Sequence, residues 1–451
     1  MSAADHAEIP PKISADKLAH IPTRPGLPVL GHTLKFLKDP LGNQRRSFEE
    51  FGPVFRSNTF FAWSVTLAGP DALEMVLMDR EKNFSSRIGW HNMLGKLFSN
   101  GLMLRDFDDH RAHRKTMQVA FKPAPMKDYL KRMNGGIAGR LDQWGQKPKF
   151  KFYWAIKGLT LDIGAAVFLG MDTGPEADRM NQAFIDEVAA SISVVRKPIP
   201  GLKMWKGIKA RTYLSDLFRE MIPERRHGDG DDMFSQLCRA TDDDGNSLSD
   251  DEIVDHMNFL LMAAHDTTTS SLTTMIWALA AHPEWQEQLR AEIEEIGGDE
   301  ITYEDLATME KTERVFKEAL RLTPPVPFIP RRTVREFEFE GVTIPANTNI
   351  SVSPGFVHMM PELWTDPEKF DPDRFSPNRA EDRNHKFAWS PFGGGAHKCL
   401  GIHFAYMQVK AFTFQLLKQY RVKLPAGYEP TWKRIPIPQP KDGLPIILER
   451  I

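Results

Sequence analysis

The stretch Phe392-Gly393-Gly394-Gly395-Ala396-His397-Lys398-Cys399-Leu400-Gly401 decides how the rest of the chain is interpreted. Its three consecutive glycines allow positive φ and a close approach of the backbone to a flat group. A single cysteine then begins a predicted helix, whose free N–H groups and dipole favour the thiolate. Thiolate is the form that binds iron, and backbone N–H groups near the sulfur would tune the metal's potential. The loop therefore predicts a thiolate at Cys399 that is suited to binding a metal.

Two other interpretations of the loop explain less of it. A buried structural cysteine after a glycine-rich turn would not require the whole pattern. A phosphate-binding loop would end in Lys followed by Ser or Thr and would follow a Val/Ile-rich strand, and neither feature is present.

The segment resembles the haem-binding loop of the cytochrome P450 superfamily: Phe, two residues, Gly, one, His or Arg, one, Cys, one, Gly. Phe392, Gly395, His397, Cys399 and Gly401 fill every position. The resemblance covers the chain from about Pro22 to the C-terminus. It implies haem b as the cofactor, with Cys399 as the iron ligand and the other four residues around the cofactor. The implied fold is mainly α with small β-sheets, in a single domain with a long central helix over the haem.

Glu318-Ala319-Leu320-Arg321 places a carboxylate and a guanidinium on one helical face. By itself such a pair is an exposed salt bridge worth well under ~1 kcal/mol. The resemblance implies instead that Glu318 and Arg321 lock to Arg374 in the loop 370–375. These three residues would then brace the loop that presents Cys399.

The clearest helix follows Ser247. Ser249 and Glu252 form a capping box, Pro283 marks the far end, and a continuous helix of this length spans ~50 Å. Within it, the hydroxyl of Thr267 can bond the carbonyl of Ala263, which would open or bend the helix. A helix face whose hydroxyls satisfy themselves is the simpler interpretation of this run.

The resemblance gives the same turn a catalytic role over the iron. Thr267 would hydrogen-bond at the oxygen site, and Asp266 would relay protons through ordered water, which is general acid catalysis. Ala264 stands where the family has a glycine, and its methyl group narrows the groove.

Haem propionates need cations, and the resemblance points to four. His110 and Arg114 lie one turn apart and match the family's pattern, although a solvated basic face would look the same. Arg331 matches the family's third propionate contact, although the neighbouring Arg332 could take the same place. His397 is the fourth. Charge-assisted bonds from arginine to carboxylate are strong.

The substrate pocket is expected along the irregular stretch 87–103, the long helix and the segment after the proline cluster. Apolar residues there indicate an apolar substrate such as a fatty acid, a terpenoid or a steroid, although any of them can equally be core. The candidate pocket residues are Trp90, Met93, Phe98, Leu260, Ala263, Val326, Phe328 and Ile329.

Composition limits the other possibilities. A net charge of −2 gives no indication of a nucleic-acid partner. Two distant cysteines, Cys238 and Cys399, exclude a disulfide framework and a four-cysteine cluster within this chain, and suit a reducing cytoplasm. Residues 1–21 read as a flexible polar tail before a catalytic domain at 22–451. No signal peptide or transmembrane anchor is expected, since apolar runs fall short of ~20 residues.

The resemblance implies a monooxygenase that inserts one oxygen atom from O2 into its substrate. No flavin or ferredoxin domain is visible in this sequence, so a separate donor is expected, either a ferredoxin with its reductase or a flavodoxin-type protein. A hypothetical docking face includes Lys398. The alternatives are a peroxide-dependent peroxygenase, a redox-neutral isomerase and a non-catalytic haem-binding carrier. Asp266 with Thr267 argues against all three.

Residue patterns outside these motifs predict the remaining elements. The predicted strands are 54–67, 337–344 and 349–352. The predicted helices are 284–296, 311–322 and 401–420, with helical patterns also dominating 126–224. The stretch 85–104 reads as irregular, and 225–232 as polar and flexible. Asn347 replaces a turn glycine, so we expect it in the left-handed conformation.

Overall fold

The computed structural model describes residues 9–11, 13–193 and 195–451. Helices make up most of its regular structure. In chain order they are α1 (Thr33–Lys38), α2 (Pro40–Phe51), α3 (Pro70–Met78), α4 (Ser86–Leu94), α5 (Phe107–Met117), α6 (Pro123–Gln146), α7 (Phe152–Leu169), α8 (Pro175–Ser191), α9 (Lys203–His227), α10 (Met233–Cys238), α11 (Asp250–Ala281), α12 (Pro283–Ile296), α13 (Glu310–Leu322), α14 (Pro354–Val357) and α15 (Ile402–Gln419). The predicted fold class, mainly α with small β-sheets, is confirmed.

The strands are short. They are β1 (Val54–Thr59), β2 (Ala62–Leu67), β3 (Phe84–Ser85), β4 (Lys149–Lys151), β5 (Ile329–Thr333), β6 (Phe337–Phe339), β7 (Val342–Ile344), β8 (Asn349–Val352), β9 (Tyr420–Lys423), β10 (Trp432–Lys433), β11 (Gln439–Pro440) and β12 (Pro445–Arg450). The largest sheet has the order β1-β2-β8-β5-β3, and a second sheet has the order β4-β12-β9. β6 with β7 and β10 with β11 form separate pairs.

Helix α11 forms the axis of the molecule. Its capping box is present, because the Ser249 hydroxyl accepts from the Glu252 N–H and the Glu252 carboxylate accepts from the Ser249 N–H. The helix runs unbroken for 32 residues and packs against α7, α9, α12, α13 and α15. The apolar residues of these helices form one large buried core. A second core lies under the five-stranded sheet.

The described part of the predicted tail is packed onto the sheet. Leu18 and Ile21 are almost completely buried in the sheet core, and Arg56 donates to the carbonyl of Ala15 at 2.8 Å. Residues 1–8 and Lys12 of this tail lie outside the described residues. The apolar contacts therefore extend the folded unit at least to Ile13, which is also buried.

Several elements differ from the sequence prediction. Residues 54–67 and 337–344 each fold as two strands around a turn, because short alternating runs do not reveal a tight reversal. The stretch 85–104 contains helix α4, whose Ser85 cap accepts from the Ile88 N–H. Residues 225–232 are held by Arg225, which bonds Asp232 at 2.6 Å. Asn347 has a φ of 64°, as predicted.

Candidate active site

The cysteine loop is closed by its own backbone. The Cys399 N–H donates to the carbonyl of Phe392 at 2.9 Å, and the Gly393 N–H donates to that of Ser390 at 3.0 Å. Gly395 has a φ of 59°, and a Cβ at this position would overlap the Leu77 carbonyl at the end of α3. Glycine is therefore required here by the approach of α3 as well as by the backbone conformation.

The Cys399 thiol lies just before α15. Burial raises the pKa of this thiol, while the Gly401 N–H and the positive charges of Arg114 and Lys398 oppose that shift. Part of the Cys399 side chain is not covered by neighbouring atoms, although many protein atoms surround the thiol. The uncovered part therefore faces the interior of the protein. A cation bound there would stabilise the thiolate in the way that coordinating metals do.

Glu318, Arg321 and Arg374 form a completely buried network, as the family resemblance implied, and not an exposed salt bridge. Glu318 accepts from Arg321 at 2.7 and 2.9 Å and from Arg374 at 3.1 Å. It also accepts from the Asp371 N–H at 2.9 Å. Arg374 reaches Glu381 at 2.9 Å, and all three residues of the network are 0 % exposed. Every charge in the network therefore has a hydrogen-bonded partner of opposite sign.

His358 connects this network to the cysteine loop. Its carbonyl accepts from Arg321 at 2.8 Å, and its Nε2 accepts from the Ser390 N–H at 3.0 Å. Burial and the nearby Arg321 lower the pKa of His358 to about 3, which keeps the ring neutral so that Nε2 can accept. A chain of hydrogen bonds thus runs from α13 to the start of the loop that carries Cys399.

Four basic side chains converge beside the loop. The rings of His110 and His397 lie 3.8 Å apart, and Arg114 and Arg331 are near enough to depress the pKa of both. Burial and these charges lower the pKa of His110 to about 4 and that of His397 to about 2. Within the described residues, none of the four forms an ion pair with a carboxylate.

This cluster fits a ligand with carboxylate groups. Nδ1 of His110 is buried without a hydrogen-bond partner among the described residues. Burial lowers the pKa of Arg331 to about 10, against the smaller opposing effects of the Asp106 and Asp79 carboxylates. Two propionates next to a thiolate ligand would supply the missing negative charge. These residues therefore fit haem.

Arg331 and Arg332 point to different surroundings. Arg331 lies with the histidine pair, whereas Arg332 donates to the carbonyls of Asn347 at 3.3 Å and Pro11 at 2.7 Å. The alternation of side chains along β5 explains this separation. The structure therefore brings Arg331, and not Arg332, to the cluster.

Asp266 lies in the middle of α11 with two partners. Its Oδ1 accepts from Lys157 Nζ at 2.9 Å and lies 3.2 Å from Nδ1 of His265. Burial raises the pKa of Asp266, but His265 and Lys157 lower it by more, so the carboxylate stays ionised. One residue further on, the Thr267 hydroxyl donates to the Ala263 carbonyl at 2.7 Å, as predicted, while the helix remains α-helical.

Comparison with known proteins decides what this arrangement is. The family model described as Cytochrome P450 matches residues 21–442. The chain belongs to the cytochrome P450 family. Cytochrome P450 136 of Mycobacterium tuberculosis is similar, with 39% identity over 463 residues, 99% of this chain and 94% of that protein. Cyclooctat-9-en-7-ol 5-monooxygenase of Streptomyces melanosporofaciens shares 30% identity, with 89% of each chain covered.

A solved structure agrees with this assignment. The retinoic-acid-bound cyanobacterial P450 named CYP120A1 has a TM-score of 0.86 and 31% identity, covering 96% of this chain and 100% of that one. The predicted P450 fold is thereby confirmed. The protein is a haem-dependent P450 monooxygenase, which uses O2, an electron donor and, in general, apolar substrates.

The predicted pocket residues of the P450 separate into two groups. Phe98, Leu260 and Ile329 are buried in the apolar cores, and the Phe328 ring packs on Phe36 at 5.3 Å. Trp90, Met93, Ala263 and Val326 keep some accessible surface. Phe328 is also partly accessible, and a pocket role for the partly accessible residues stays a prediction.

Sequence analysis missed two residues of the P450 site, Lys157 and His358. Lys157 lies on α7, the described helix that is long and apolar enough to cross a membrane, although 61% of it is buried inside the protein. A lone lysine in so apolar a helix is the signal that could have indicated a buried partner. His358 gives no such signal, since its partners lie 37 and 32 residues away.

Proposed function

We propose that this P450 uses haem b to insert one oxygen atom from O2 into a terpenoid-like substrate, with electrons from a separate ferredoxin or flavodoxin-type donor. The observation that carries the proposal is the meeting of Cys399 with four basic side chains that form no ion pair among the described residues. A metal-binding thiolate and two propionate-binding positions together match the shape and charge of haem.

The proposed cofactor contacts use the sequence-predicted residues. Cys399 would bind the iron. The propionates would be held by His110, Arg114, Arg331 and His397. When bound, haem supplies the activation of O2 and the transfer of one oxygen atom. The protein fixes the cofactor's position through the loop from Phe392 to Gly401, which is held by α3 and by the buried network at Glu318.

The catalytic residues are proposed to be Asp266 and Thr267. The Thr267 hydroxyl gives its single hydrogen to Ala263, so its oxygen is free to accept a hydrogen bond from a group above the haem. Asp266 is ionised, and Lys157 Nζ donates a hydrogen bond to its Oδ1 at 2.9 Å. We assign Asp266 to the delivery of protons and Lys157 to stabilising the negative charge of Asp266.

Two comparisons support a terpenoid-like substrate over the fatty acid and steroid that were also expected. One relative is named for cyclooctat-9-en-7-ol, and the structural neighbour holds retinoic acid. Both names describe an apolar carbon skeleton with few oxygen atoms. The partly accessible side chains Trp90, Met93, Ala263 and Val326 offer apolar contacts to such a skeleton.

The electron donor is proposed to meet the cysteine side of the molecule. Lys398 is exposed and directly precedes the iron ligand. Lys398→Glu should slow reduction by an acidic donor protein while dithionite still reduces the haem normally. An unchanged rate with the donor protein would rule out this docking site. The free cysteines Cys238 and Cys399 support a cytoplasmic location for this exchange.

Substrate titration tests the proposed function. Diterpenoid alcohols should shift the haem absorption spectrum at lower concentration than fatty acids or sterols of similar size, and should yield a hydroxylated product with O2 and a reductant. Product with peroxide alone would favour the peroxygenase alternative. Good reduction without any product would favour a ligand carrier. Tight binding of small polar compounds only would contradict an apolar substrate.

A further inference from the structure

Glu187 is a buried carboxyl group that neither the cofactor site nor the proposed reaction uses. It lies on α8, where that helix packs on α9, and it is 0 % exposed. Neither of its carboxyl oxygens has a hydrogen-bond partner among the described residues. A buried, ionised carboxylate without partners is strongly unfavourable. Burial accordingly raises the pKa of Glu187 to about 8, so that it is a neutral acid at neutral pH.

The charged groups that act on Glu187 are Arg211 on α9 and Asp255 on α11. Arg211 donates to Asp255 through Nη2, whereas its Nη1 is buried without a partner among the described residues. Asn100, between α4 and α5, donates to the other oxygen of Asp255 at 3.2 Å. Burial nevertheless raises the pKa of Asp255. Two carboxyl groups thus compete for one guanidinium, and Asp255 has the bond.

The bond between Arg211 and Asp255 is a largely buried link between α9 and α11. Among the described residues, the other ion pairs between these helices, at Asp250 and Asp251, are at exposed positions nearer the far end of α9. Helix α9 in turn approaches α8 closely at Gly207, where a Cβ would overlap the facing side chain of α8. A change in the partner of Arg211 therefore changes how the α8–α9 pair is held on α11.

The α8–α9 pair covers part of the predicted substrate pocket. Ala190 of α8 and Met204 of α9 belong to one apolar cluster with Phe98, and Trp90 packs against that cluster. Phe98 and Trp90 are both predicted pocket residues. Movement of the α8–α9 pair away from α11 would therefore uncover this end of the pocket.

We propose that the protonation state of Glu187 controls whether the α8–α9 pair lies closed on α11 or is released from it. With its proton, Glu187 leaves Arg211 to Asp255 and the pair stays closed. Without it, the carboxylate must gain water or draw Arg211 away from Asp255, and either change loosens the pair from α11. This inference depends neither on the substrate class nor on the electron donor.

The direction of the pH effect follows from proton binding. In the closed form the pKa of Glu187 is about 8, whereas a glutamate surrounded by water has the ordinary value of 4.5. Between these values the closed form binds more protons than the released form. Rising pH therefore favours release, by up to about tenfold for each pH unit. Above about pH 8 Glu187 is ionised in both forms and the effect ends.

Hydrogen exchange of the haem-loaded protein without any ligand tests the proposal. The protection factor of an amide is the ratio of its intrinsic exchange rate to its measured rate. Protection factors in α8 and in the first half of α9 should fall about tenfold from pH 6.5 to pH 7.5. They should also stay below those of α15, because release leaves the main core folded. Protection in α8 that is independent of pH, or equal to that of α15 throughout, would overturn the proposal.

Three variants sharpen this test. Glu187→Gln cannot ionise, so the protection of α8 and α9 should no longer depend on pH. Glu176→Gln, at an exposed position of the same helix, is the matched control and should behave like the parent protein. Asp255→Asn leaves Arg211 to Glu187, so protection should already be low at pH 6.5 and vary less with pH. The full pH dependence of the parent protein in Glu187→Gln or in Asp255→Asn would overturn the proposal.

Entry of a bulky haem ligand gives a functional readout. Clotrimazole should bind to the ferric haem several-fold faster at pH 8 than at pH 7, within the limit of about tenfold per pH unit. Glu187→Gln should lose this acceleration, and it also corrects for titration of the azole itself. Carbon monoxide is small and should bind to the reduced haem at the same rate at both pH values. Equal acceleration of clotrimazole binding in Glu187→Gln and the parent protein would overturn the role of Glu187.

Discussion

Two fully buried glutamates show how differently the Cys399 side and the α8–α9 side of this molecule are held together. Glu318, under the Cys399 loop, accepts four hydrogen bonds and is paired with two arginines. Glu187, on α8, is also 0 % exposed, but both of its oxygens lack a hydrogen-bond partner among the described residues. Burial raises the pKa of Glu187 to about 8, against the weaker opposing effect of Arg211.

This difference shows how each side is held. On the cysteine side, directional bonds between α13, the 370–375 loop and Ser390 fix the position of one sulfur atom. On the α8–α9 side, packing of apolar side chains dominates, and one carboxyl group is accommodated mainly by keeping its proton. Directional bonds hold the cysteine side rigid, whereas apolar packing leaves the α8–α9 side more able to adjust.

Removing the best-paired carboxylate should have the largest effect. Glu318→Ala leaves the guanidiniums of Arg321 and Arg374 buried without their partner, so we expect a loss of about 4 kcal/mol in the free energy of unfolding and a lower haem content. Urea denaturation followed by fluorescence measures this. Glu310→Ala, at an exposed position of the same helix, is the control. Equal stability of the two variants would contradict the role of the network.

The unpaired carboxyl should make stability fall as pH rises. Between pH 4.5, the ordinary pKa of Glu187, and about 8, the unfolded carboxyl is ionised while the folded one keeps its proton. The unfolded chain then binds fewer protons, so the fold loses stability with rising pH, with a loss of the order of 3 kcal/mol by pH 7. Glu187→Gln should flatten this dependence in urea denaturation at several pH values.

A control separates this effect from other titrating groups. Glu176→Gln, at an exposed position on the same helix, should keep the pH dependence of the parent protein. If Glu187→Gln keeps the same dependence as well, then Glu187 is not protonated in the folded state at neutral pH.

Asp266 is an intermediate case, a buried carboxylate with two partners. Asp266→Asn keeps the shape of the side chain but removes the negative charge that Lys157 stabilises. Product formation should therefore fall about 100-fold. Substrate binding should change little, as measured by the spectral shift. Asp162→Asn on α7, whose partner is Arg140, is a suitable control. An unimpaired rate in Asp266→Asn would exclude Asp266 from proton delivery.

Arg331 is the cationic counterpart of Glu187, since it is buried and forms no ion pair with a carboxylate among the described residues. Arg331→Gln should weaken haem retention by about 2 kcal/mol, the usual value of a charge-assisted hydrogen bond. Arg332→Gln removes an equal charge at the adjacent position and should leave haem retention unchanged. Haem dissociation rates measure both variants, and a larger effect at Arg332 would reverse the assignment.

Local sequence motifs predicted the cysteine side well. The positions of Cys399, Gly395 and the pair Glu318–Arg321 follow from short patterns whose members lie within one turn or loop. The capping box at Ser249 predicted the start of α11 for the same reason, because its members also lie within one turn. Asn347 was predicted in the left-handed conformation because only glycine adopts it more readily.

The rest of the site depends on contacts between distant segments. Lys157 meets Asp266 across 109 residues, and no local pattern announces that pairing. The interior position of Phe98 and the helix α4 were missed, because the short segment 85–104 shows no clear helical period. Apolar residues such as Ile329 fit a core and a pocket equally well, and only packing separates the two.

The most direct test of the whole interpretation is the spectrum of the dithionite-reduced protein under carbon monoxide. Thiolate ligation by Cys399 predicts the far-red-shifted Soret band of a thiolate-bound ferrous–CO haem, and Cys399→Ser should abolish it. Cys238→Ser, which changes the buried second cysteine of the chain, should leave the band intact. A band typical of histidine-ligated haem in the parent protein, or an unchanged band in Cys399→Ser, would contradict the assignment of Cys399.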